Sequence, residues 1–340
     1  MKAVVYSASG SSAVLSLVDR EAAAPGPDEV RVRVAVSGVN PTDWKARSGG
    51  GRRGAFAEVV PNQDGAGVVD EVGRDVTHLA VGDRVWLYLT QHEQAGGTAQ
   101  EQVVLPAARA VPLPDGVDFA VGASLGVPAL TAHRALTVHG DGPTRLSPGT
   151  LAGRTVLVAG GAGAVGHAAI QLARWAGATV IATVSSAEKG ALARAAGAHH
   201  VVDYRTEDVV ERVLGVAPDG VDHIVEVSVA ANAEIDVAVA ANHASIAFYA
   251  DDGGDAFRLP TRAGFAKNLR FQGVLLYTVG TEALEAATAD VTAALADGAL
   301  PVGAEAGLPL TWFPLEETAA AHDAVEAGTV GKVLIRVADL

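Results

Sequence analysis

The segment Thr155–Ala173 constrains this chain more than any other. Thr155-Val156-Leu157-Val158-Ala159 is a short apolar strand. It runs into Gly160-Gly161-Ala162-Gly163-Ala164-Val165-Gly166, and then into His167-Ala168-Ala169-Ile170-Gln171-Leu172-Ala173, a helical run. Glycines 161, 163 and 166 have the GxGxxG spacing. With 39 glycines in 340 residues, that spacing alone carries little weight. Its position after a strand and at the opening of a helix is what matters. There the first glycine permits a tight turn. The second lets backbone approach a pyrophosphate, and the third lets the helix pack close to the strand. N–H groups at the helix start then receive the anion. The competing reading is an ordinary glycine-rich turn.

The rest of the chain falls into two rhythms. Residues 1–125 read as short strands broken by Gly and Pro. The clearest is Glu29–Ser37, where Val30, Val32, Val34 and Val36 alternate with Arg31, Arg33, Ala35 and Ser37. Period two with one charged face means a half-buried strand. Gly67–Val72, Asp83–Leu89 and Gln102–Leu105 are further strands, and together they suggest a β-rich, barrel-like domain. Ala120–His139 reads as a helix, with Pro128 marking a boundary or kink. Beyond the Gly/Pro/Ser-rich loop 140–153, strands alternate with helices. The strands are Thr155–Ala159, Thr179–Val184, His199–Asp203, Asp222–Val227, Ala244–Tyr249 and Arg270–Tyr277; the helices are Val165–Ala176, Ala187–Ala196 and Thr281–Ala296. That alternation implies a parallel sheet covered on both faces, so the fold class is α/β with a second, β-rich domain. The last segment, 303–340, adds a helix near Leu315–Ala327 and a strand at Lys332–Val337.

Composition removes several function classes. With 25 basic and 39 acidic residues the net charge is −14, which argues against a nucleic-acid-backbone binder. The chain has no cysteine, which excludes disulfides and thiolate-ligated zinc or iron–sulfur centres. Zinc held by His, Asp and Glu stays open. No signal peptide and no run of about 18 apolar residues is visible, so a soluble, cytoplasmic protein is expected.

The end of the second strand addresses the cofactor. An NAD site usually has an acid about 20 residues beyond the glycines, gripping the ribose 2′-OH. Here Thr179–Val184 ends in Ser185-Ser186-Ala187-Glu188-Lys189. Hydroxyls from Ser185 and Ser186 with the Lys189 cation suit a 2′-phosphate, hence NADPH. Glu188 is the competing acid, but acids in a first helical turn are common for dipole reasons alone.

Several further motifs stand in order along the chain. They are Gly38-Val39-Asn40-Pro41-Thr42-Asp43-Trp44, Ala66-Gly67-Val68-Val69 with Val72-Gly73, and Val81-Gly82-Asp83-Arg84-Val85. Gly126-Val127-Pro128-Ala129-Leu130-Thr131-Ala132 and Gly331-Lys332-Val333 follow. In order and spacing these resemble the medium-chain dehydrogenases/reductases, specifically the zinc-free quinone oxidoreductases of the zeta-crystallin type, over nearly the whole chain. The resemblance implies a GroES-like catalytic domain from residues 1–125 and 303–340. It implies a Rossmann NADP-binding domain at 126–302, NADPH as reductant, and an active site in the cleft. It places Asn40 and Trp44 beside the nicotinamide end, with Thr131 nearby. Asn40, Asp43, Trp44 and Thr131 are thus the catalytic candidates. Ala162, Gly163, Ala164 and Val165 would wrap the pyrophosphate, flanked by Gly161 and Gly166. Ser185, Lys189 and Tyr204 would surround the 2′-phosphate. Phe248, Tyr249 and Ala250, then Leu276, Tyr277 and Thr278, would end strands facing the cofactor, and Lys332 would be a further contact. Three departures stand out. Asn62-Gln63-Asp64 replaces the Gly-His-Glu run of zinc members, so no metal is expected. Gly50-Gly51-Arg52-Arg53-Gly54 replaces an aromatic segment, and the loop Gln91–Gly97 is unusual.

The chemistry favours a quinone over an alcohol. Oxidising an alcohol means removing a proton with a pKa far above neutrality, a task for zinc or an activated Tyr. Hydride addition to a quinone leaves a phenolate-like oxygen with a pKa near the phenol value of about 10, which a weak donor can protonate. An α,β-unsaturated carbonyl would give an enolate that needs only modest help, so an enoyl or alkenal reductase is the alternative enzyme. A nucleotide-sensing or RNA-binding protein is the non-enzymatic one. Bland readings compete at single residues. Asn40 could cap a turn, Asp43 could be the N-cap of a helix at Trp44, and Trp44 and Tyr204 could be plain packing. His92 and His133 could be proton donors or ordinary imidazoles. As a sheet edge, Arg270–Tyr277 would leave backbone groups unpaired. Relatives of the resembled family pair this edge, so a homodimer is expected.

Overall fold

The computed structural model describes residues 1–50 and 56–340. Of the departure Gly50-Gly51-Arg52-Arg53-Gly54, residues 51–54 lie outside the described residues. The chain divides into two compact units, Met1–Val127 with Leu310–Leu340, and Pro128–Pro309.

In chain order the strands are β1 (Lys2–Val5), β2 (Ser16–Asp19), β3 (Glu29–Val39), β4 (Asp64–Val72), β5 (Arg84–Leu87), β6 (Gln102–Pro106), β7 (Ala110–Pro112), β8 (Thr155–Val158), β9 (Thr179–Val184), β10 (His200–Asp203), β11 (Val221–Glu226), β12 (Ala240–Phe248), β13 (Arg270–Gly273), β14 (Leu310–Pro314) and β15 (Lys332–Arg336). The helices are α1 (Pro41–Ser48), α2 (Phe119–Gly122), α3 (Gly126–Leu136), α4 (Ala164–Trp175), α5 (Ala187–Ala195), α6 (Val209–Val216), α7 (Val229–Val239), α8 (Thr261–Ala266), α9 (Thr281–Ala296) and α10 (Thr318–Glu326). No described helix is long and apolar enough to cross a membrane.

The first unit is built on a sheet in the order β14-β15-β3-β4-β5-β7, with β6 also paired to β3. The alternation in β3 does what its period requires. Val30, Val32 and Val34 are fully buried with Val69, Val85, Leu87, Val103 and Leu105. Arg31 points the other way and ion-pairs with Asp70 at 2.9 Å and Glu71 at 2.8 Å. Because β15 pairs antiparallel with β3, the C-terminal strand reaches the same sheet region as the residues around Asn40 (Val333 is opposite Val39).

The second unit holds a six-stranded sheet in the order β10-β9-β8-β11-β12-β13, every pair parallel. Numbered from β8, this is the 3-2-1-4-5-6 order of a dinucleotide-binding Rossmann fold, with its switch point between β8 and β11. Leu157, Ile181, Val202, Ile224 and Ile246 form the centre of its core.

Three elements differ from the sequence expectation. The single helix Ala120–His139 is two, α2 and α3, broken at Ala123–Leu125. Pro128 therefore sits in the first turn of α3, where its missing N–H breaks no helical bond. Arg270–Tyr277 is a strand only to Gly273; Leu276–Thr278 is a 3₁₀ turn. The reason is the partner: the ladder pairs Gly273 with Phe248, the last residue of β12, and ends there with Val274 N–H donating to the Phe248 carbonyl. The helix at Leu315–Ala327 begins as a 3₁₀ turn, Leu315–Glu317, before α10.

Candidate active site

The second unit presents its glycine loop at the carboxyl end of β8. The left-handed turn is made by Gly160, φ +66, one residue before the position the motif suggests. Gly161 N–H donates to the Thr183 carbonyl at 3.1 Å, and Gly163 N–H to Gly160 at 3.0 Å. Gly163 is the N-cap of α4 and, as a glycine, offers the helix start no capping side chain. A Cβ on Gly166 would lie 2.4 Å from the Gly160 carbonyl oxygen, so the third glycine is a packing requirement. Ala162, Ala164 and Val165 fill the turn and the first helical positions. The residues present thus fit a dinucleotide: a helix start whose N-cap is a glycine, behind a tight glycine turn.

At the tip of β9, Lys189 Nζ donates to Ser185 Oγ at 3.0 Å. Tyr204, which follows β10, is exposed, and its N–H donates to the Val184 carbonyl at 3.0 Å. The three expected 2′-phosphate residues therefore share one sheet end. Ser186 has a different task here: its hydroxyl caps α5 by accepting from Lys189 N at 3.3 Å. The Glu188 carboxyl is held below its usual range by its own backbone N–H and then by Ser186, as a helix-start acid.

Further along the same edge, Phe248 ends β12 and meets Phe257 edge-on at 5.8 Å. Tyr249 N–H donates to the Glu226 carbonyl at 3.2 Å, with Ala250 next. Burial, then the charge of Glu226, pushes the Tyr249 hydroxyl upward. Leu276, Tyr277 and Thr278 lie in the 3₁₀ turn instead of ending a strand. Thr131 is buried on α3. His133 is an ordinary buried imidazole, its Nε2 donating to Asp290 at 2.8 Å. His92 is mostly buried, with its carbonyl accepting from Arg109 at 2.6 Å. Sequence reasoning missed Glu226 and Asp236, two buried carboxyls on β11 and α7. Burial raises both.

The polar centre of the first unit is built from residues far apart in sequence. Asn40, extended at φ −122 because Pro41 follows, is the N-cap of α1. Its backbone N–H donates to Asp43 Oδ2 at 2.7 Å, and Gln63 N–H donates to Asp43 Oδ1 at 3.1 Å. Asp43 is thus the third helical residue and not the cap. Trp44 is half-buried beside it. The Asn40 side chain runs the other way: Nδ2 donates to Asp64 Oδ2 at 2.6 Å, and Oδ1 accepts from Lys332 Nζ at 2.6 Å. Lys332 Nζ also lies 3.4 Å from Asp64 Oδ2, while Val127 N–H donates to Asp64 Oδ1 at 2.8 Å. Asn40, Asp43, Gln63, Asp64 and Lys332 are all at most 5% exposed. Burial, then the charge of Asp64, pushes the Asp43 carboxyl up to about 7. Burial also raises Asp64 and lowers Lys332, each offset in part by the other.

A second layer holds Asp64 from behind. His322 Nε2 donates to Asn62 Oδ1 at 2.9 Å, and Asn62 Nδ2 to Ser37 Oγ at 3.0 Å. Ser37 is 2.7 Å from Thr98 Oγ1, which donates to the Asp64 carbonyl at 2.6 Å. The donor directions are forced, since the Asn62 amide nitrogen can only donate. Asn62 takes φ +80 to join this chain, a backbone state that Asn tolerates better than most residues. The sequence signal for the whole centre was the Asn62-Gln63-Asp64 departure together with Gly331-Lys332-Val333.

Comparison with known proteins places these features. Residues 26–115 match the alcohol dehydrogenase GroES-like domain, and residues 164–293 match the zinc-binding dehydrogenase family. The human quinone oxidoreductase is 30% identical over 98% of this chain and 97% of its own length. A crystal structure of an NAD-dependent alcohol dehydrogenase superposes with a TM-score of 0.84 at 29% identity, covering 99% of this chain and 100% of that one. The Escherichia coli quinone oxidoreductase complexed with NADPH gives 0.80 at 25% identity, with the same coverage.

The described centre does not fit the zinc named in the second of those families. The chain has no cysteine, and no group of three or more metal-ligating side chains occurs among the described residues. Both oxygens of Asp64 already face donors, one the Lys332 ammonium and Asn40, the other Val127 N–H. With the GroES-like domain and the zinc-binding dehydrogenase family both matched and a 30%-identical relative aligned along nearly its whole length, this chain belongs to the quinone oxidoreductases of the medium-chain dehydrogenase/reductase superfamily and is an oxidoreductase.

Proposed function

We propose that the protein is an NADPH-dependent, metal-independent reductase of quinones. In this reading the unit Pro128–Pro309 is the nucleotide-binding domain and the other unit supplies the acceptor's donors. The observation that carries the cofactor choice is the Lys189–Ser185 contact at the tip of β9, where an NAD site would offer an acid. The glycine turn and the start of α4 hold the pyrophosphate. Ser185, Lys189 and Tyr204 hold the 2′-phosphate. Bound NADPH supplies the hydride. The protein's own part is to place the acceptor and to stabilise the oxygen that becomes negative. Asn40 is the donor suited to this, because its amide is held by Lys332 and Asp64 and one N–H remains without a partner among the described residues. Proximity does most of the work, and solvent returns the proton to a phenolate-like product. Steady-state turnover with NADPH on a panel of quinones and α,β-unsaturated ketones tests the acceptor class. Higher kcat/KM for quinones supports this reading. Preference for enones by tenfold or more replaces it with the enone reductase.

Lys189→Ala is expected to weaken NADPH binding about ten- to a hundredfold. A hydrogen bond to a charged group contributes about 1.5–3 kcal/mol, and tenfold in affinity is about 1.4 kcal/mol. NADH, lacking the 2′-phosphate, should be nearly unaffected. Comparison of both cofactors' KM in wild type and variant checks this, and equal losses would put the 2′-phosphate elsewhere.

We further propose a homodimer through β13. It is an edge strand, and Leu275 beside it, with Phe265 on α8, is more than 45% exposed. A free edge with apolar neighbours is a pairing surface. Sedimentation should show a dimer at micromolar concentration. A monomer alone at that concentration rules it out.

A further inference from the structure

Lys332 is a buried ammonium at the start of β15, and the fold makes room for it. Gly38 on β3 lies alongside: a Cβ there would sit 3.1 Å from Lys332 Cε and 2.1 Å from the Ala123 carbonyl oxygen. Around its head stand Asn40 Oδ1 and Asp64 Oδ2, and its charge also acts on Asp43. An ammonium can only donate and an ionised carboxylate can only accept. Between them the Asn40 amide has one possible orientation. Turned over, it would set N–H against ammonium and carbonyl against carboxylate.

We propose that Lys332 is the positioning residue of this centre, the fixed cation that keeps Asp64 ionised and locks the Asn40 amide with its nitrogen as donor. The proposal rests on the quinone reductase reading above, in which Asn40 donates to the oxygen that gains charge. It gives Lys332 a different task from a cofactor contact. Without the ammonium, Asp64 would be a buried carboxyl with no cation and would take up a proton. A protonated acid donates as well as accepts, so the amide would lose its single orientation.

The absence of cysteine makes a selective test available. Lys332→Cys introduces the chain's only thiol. Alkylation of that thiol with bromoethylamine during refolding rebuilds a side chain of lysine length carrying an ammonium. Lys332→Met is the uncharged companion. Both uncharged variants should lose ten- to a hundredfold in kcat with a quinone. NADPH affinity, followed by cofactor fluorescence, should change less than twofold. Aminoethylation should recover most of kcat. Unchanged kcat in a folded Lys332→Met overturns the proposal. So does an NADPH affinity loss that accounts for the whole effect, or an aminoethylated protein that melts like wild type without regaining kcat. If neither variant folds, wild type still decides: the Asn40 side-chain amide, identified in nitrogen-15 spectra by its loss in Asn40→Asp, must exchange slowly with solvent. Fast exchange overturns the proposal. A wild type that binds NADPH but reduces no quinone would sink the functional reading instead, before any variant is made.

Discussion

Alanine at Gly166 and alanine at Gly163 are expected to fail in different ways. At Gly166 the new methyl would stand 2.4 Å from the Gly160 carbonyl, a backbone atom that cannot rotate away. Overpacking of this kind typically costs about 1–3 kcal/mol, and a backbone clash belongs at the upper end. Gly166→Ala should therefore lower the melting temperature and weaken NADPH about a hundredfold, because the turn must move to admit it. At Gly163 the nearest atom to a new Cβ is 3.4 Å away, an ordinary contact, and φ is −81, which any residue adopts. Gly163→Ala should fold and melt like wild type yet lose NADPH affinity tenfold or more, since its methyl would stand where the pyrophosphate must approach. Melting curves and cofactor titrations of the two variants separate these effects. Wild-type affinity in Gly163→Ala would move the anion off this helix start.

The second large effect concerns His223. Its ring is 1% exposed on β11, both ring nitrogens lack a hydrogen-bond partner among the described residues, and His139 meets it edge-on at 4.7 Å. Burial, then the nearby His139, lowers it to about 4. An unfolded histidine titrates near 6.5. A base lowered on folding contributes its stability above about pH 6.5 and loses it as pH falls toward 4. At pH 5 that loss is about 2 kcal/mol for this one residue. His223→Phe keeps the edge contact and removes both orphaned nitrogens, whose burial costs about 1–3 kcal/mol. The variant should be more stable than wild type at pH 8, and its advantage should grow by about 2 kcal/mol at pH 5. Denaturant unfolding at the two pH values measures this. A constant difference would mean that His223 is protonated alike in both states.

What the sequence made legible was local. The glycine turn, the β9 tip and the alternation in β3 are each written within a dozen residues, and the structure has them where the periods place them. The left-handed residue is Gly160, between Ala159, still bonded to Val225, and Gly161, bonded to Thr183, a detail the motif spacing does not carry. Ser186 looked like a ligand because caps and phosphate ligands use the same hydroxyl chemistry; the structure has it capping α5. The length of β13 could not be read from its own residues, since it is set by where β12 ends. The Asn40–Asp64–Lys332 centre joins positions 40, 64 and 332: the antiparallel pairing of β4 with β3 brings Asp64 to Asn40, and that of β15 with β3 brings Lys332. No period in a single segment announces such a contact. The oddity of Asn62-Gln63-Asp64 marked the place without showing that a lysine from the far end of the chain would meet it.

The most direct measurement is anaerobic turnover of the purified protein with NADPH and a simple quinone, following dihydronicotinamide absorbance and hydroquinone together. The expected result is one hydroquinone formed for each NADPH oxidised, with NADPH far more effective than NADH and no loss of rate after exhaustive chelation. Tight NADPH binding with neither quinone nor enone reduced, or turnover that disappears on chelation and returns with zinc, would contradict the reading of this site.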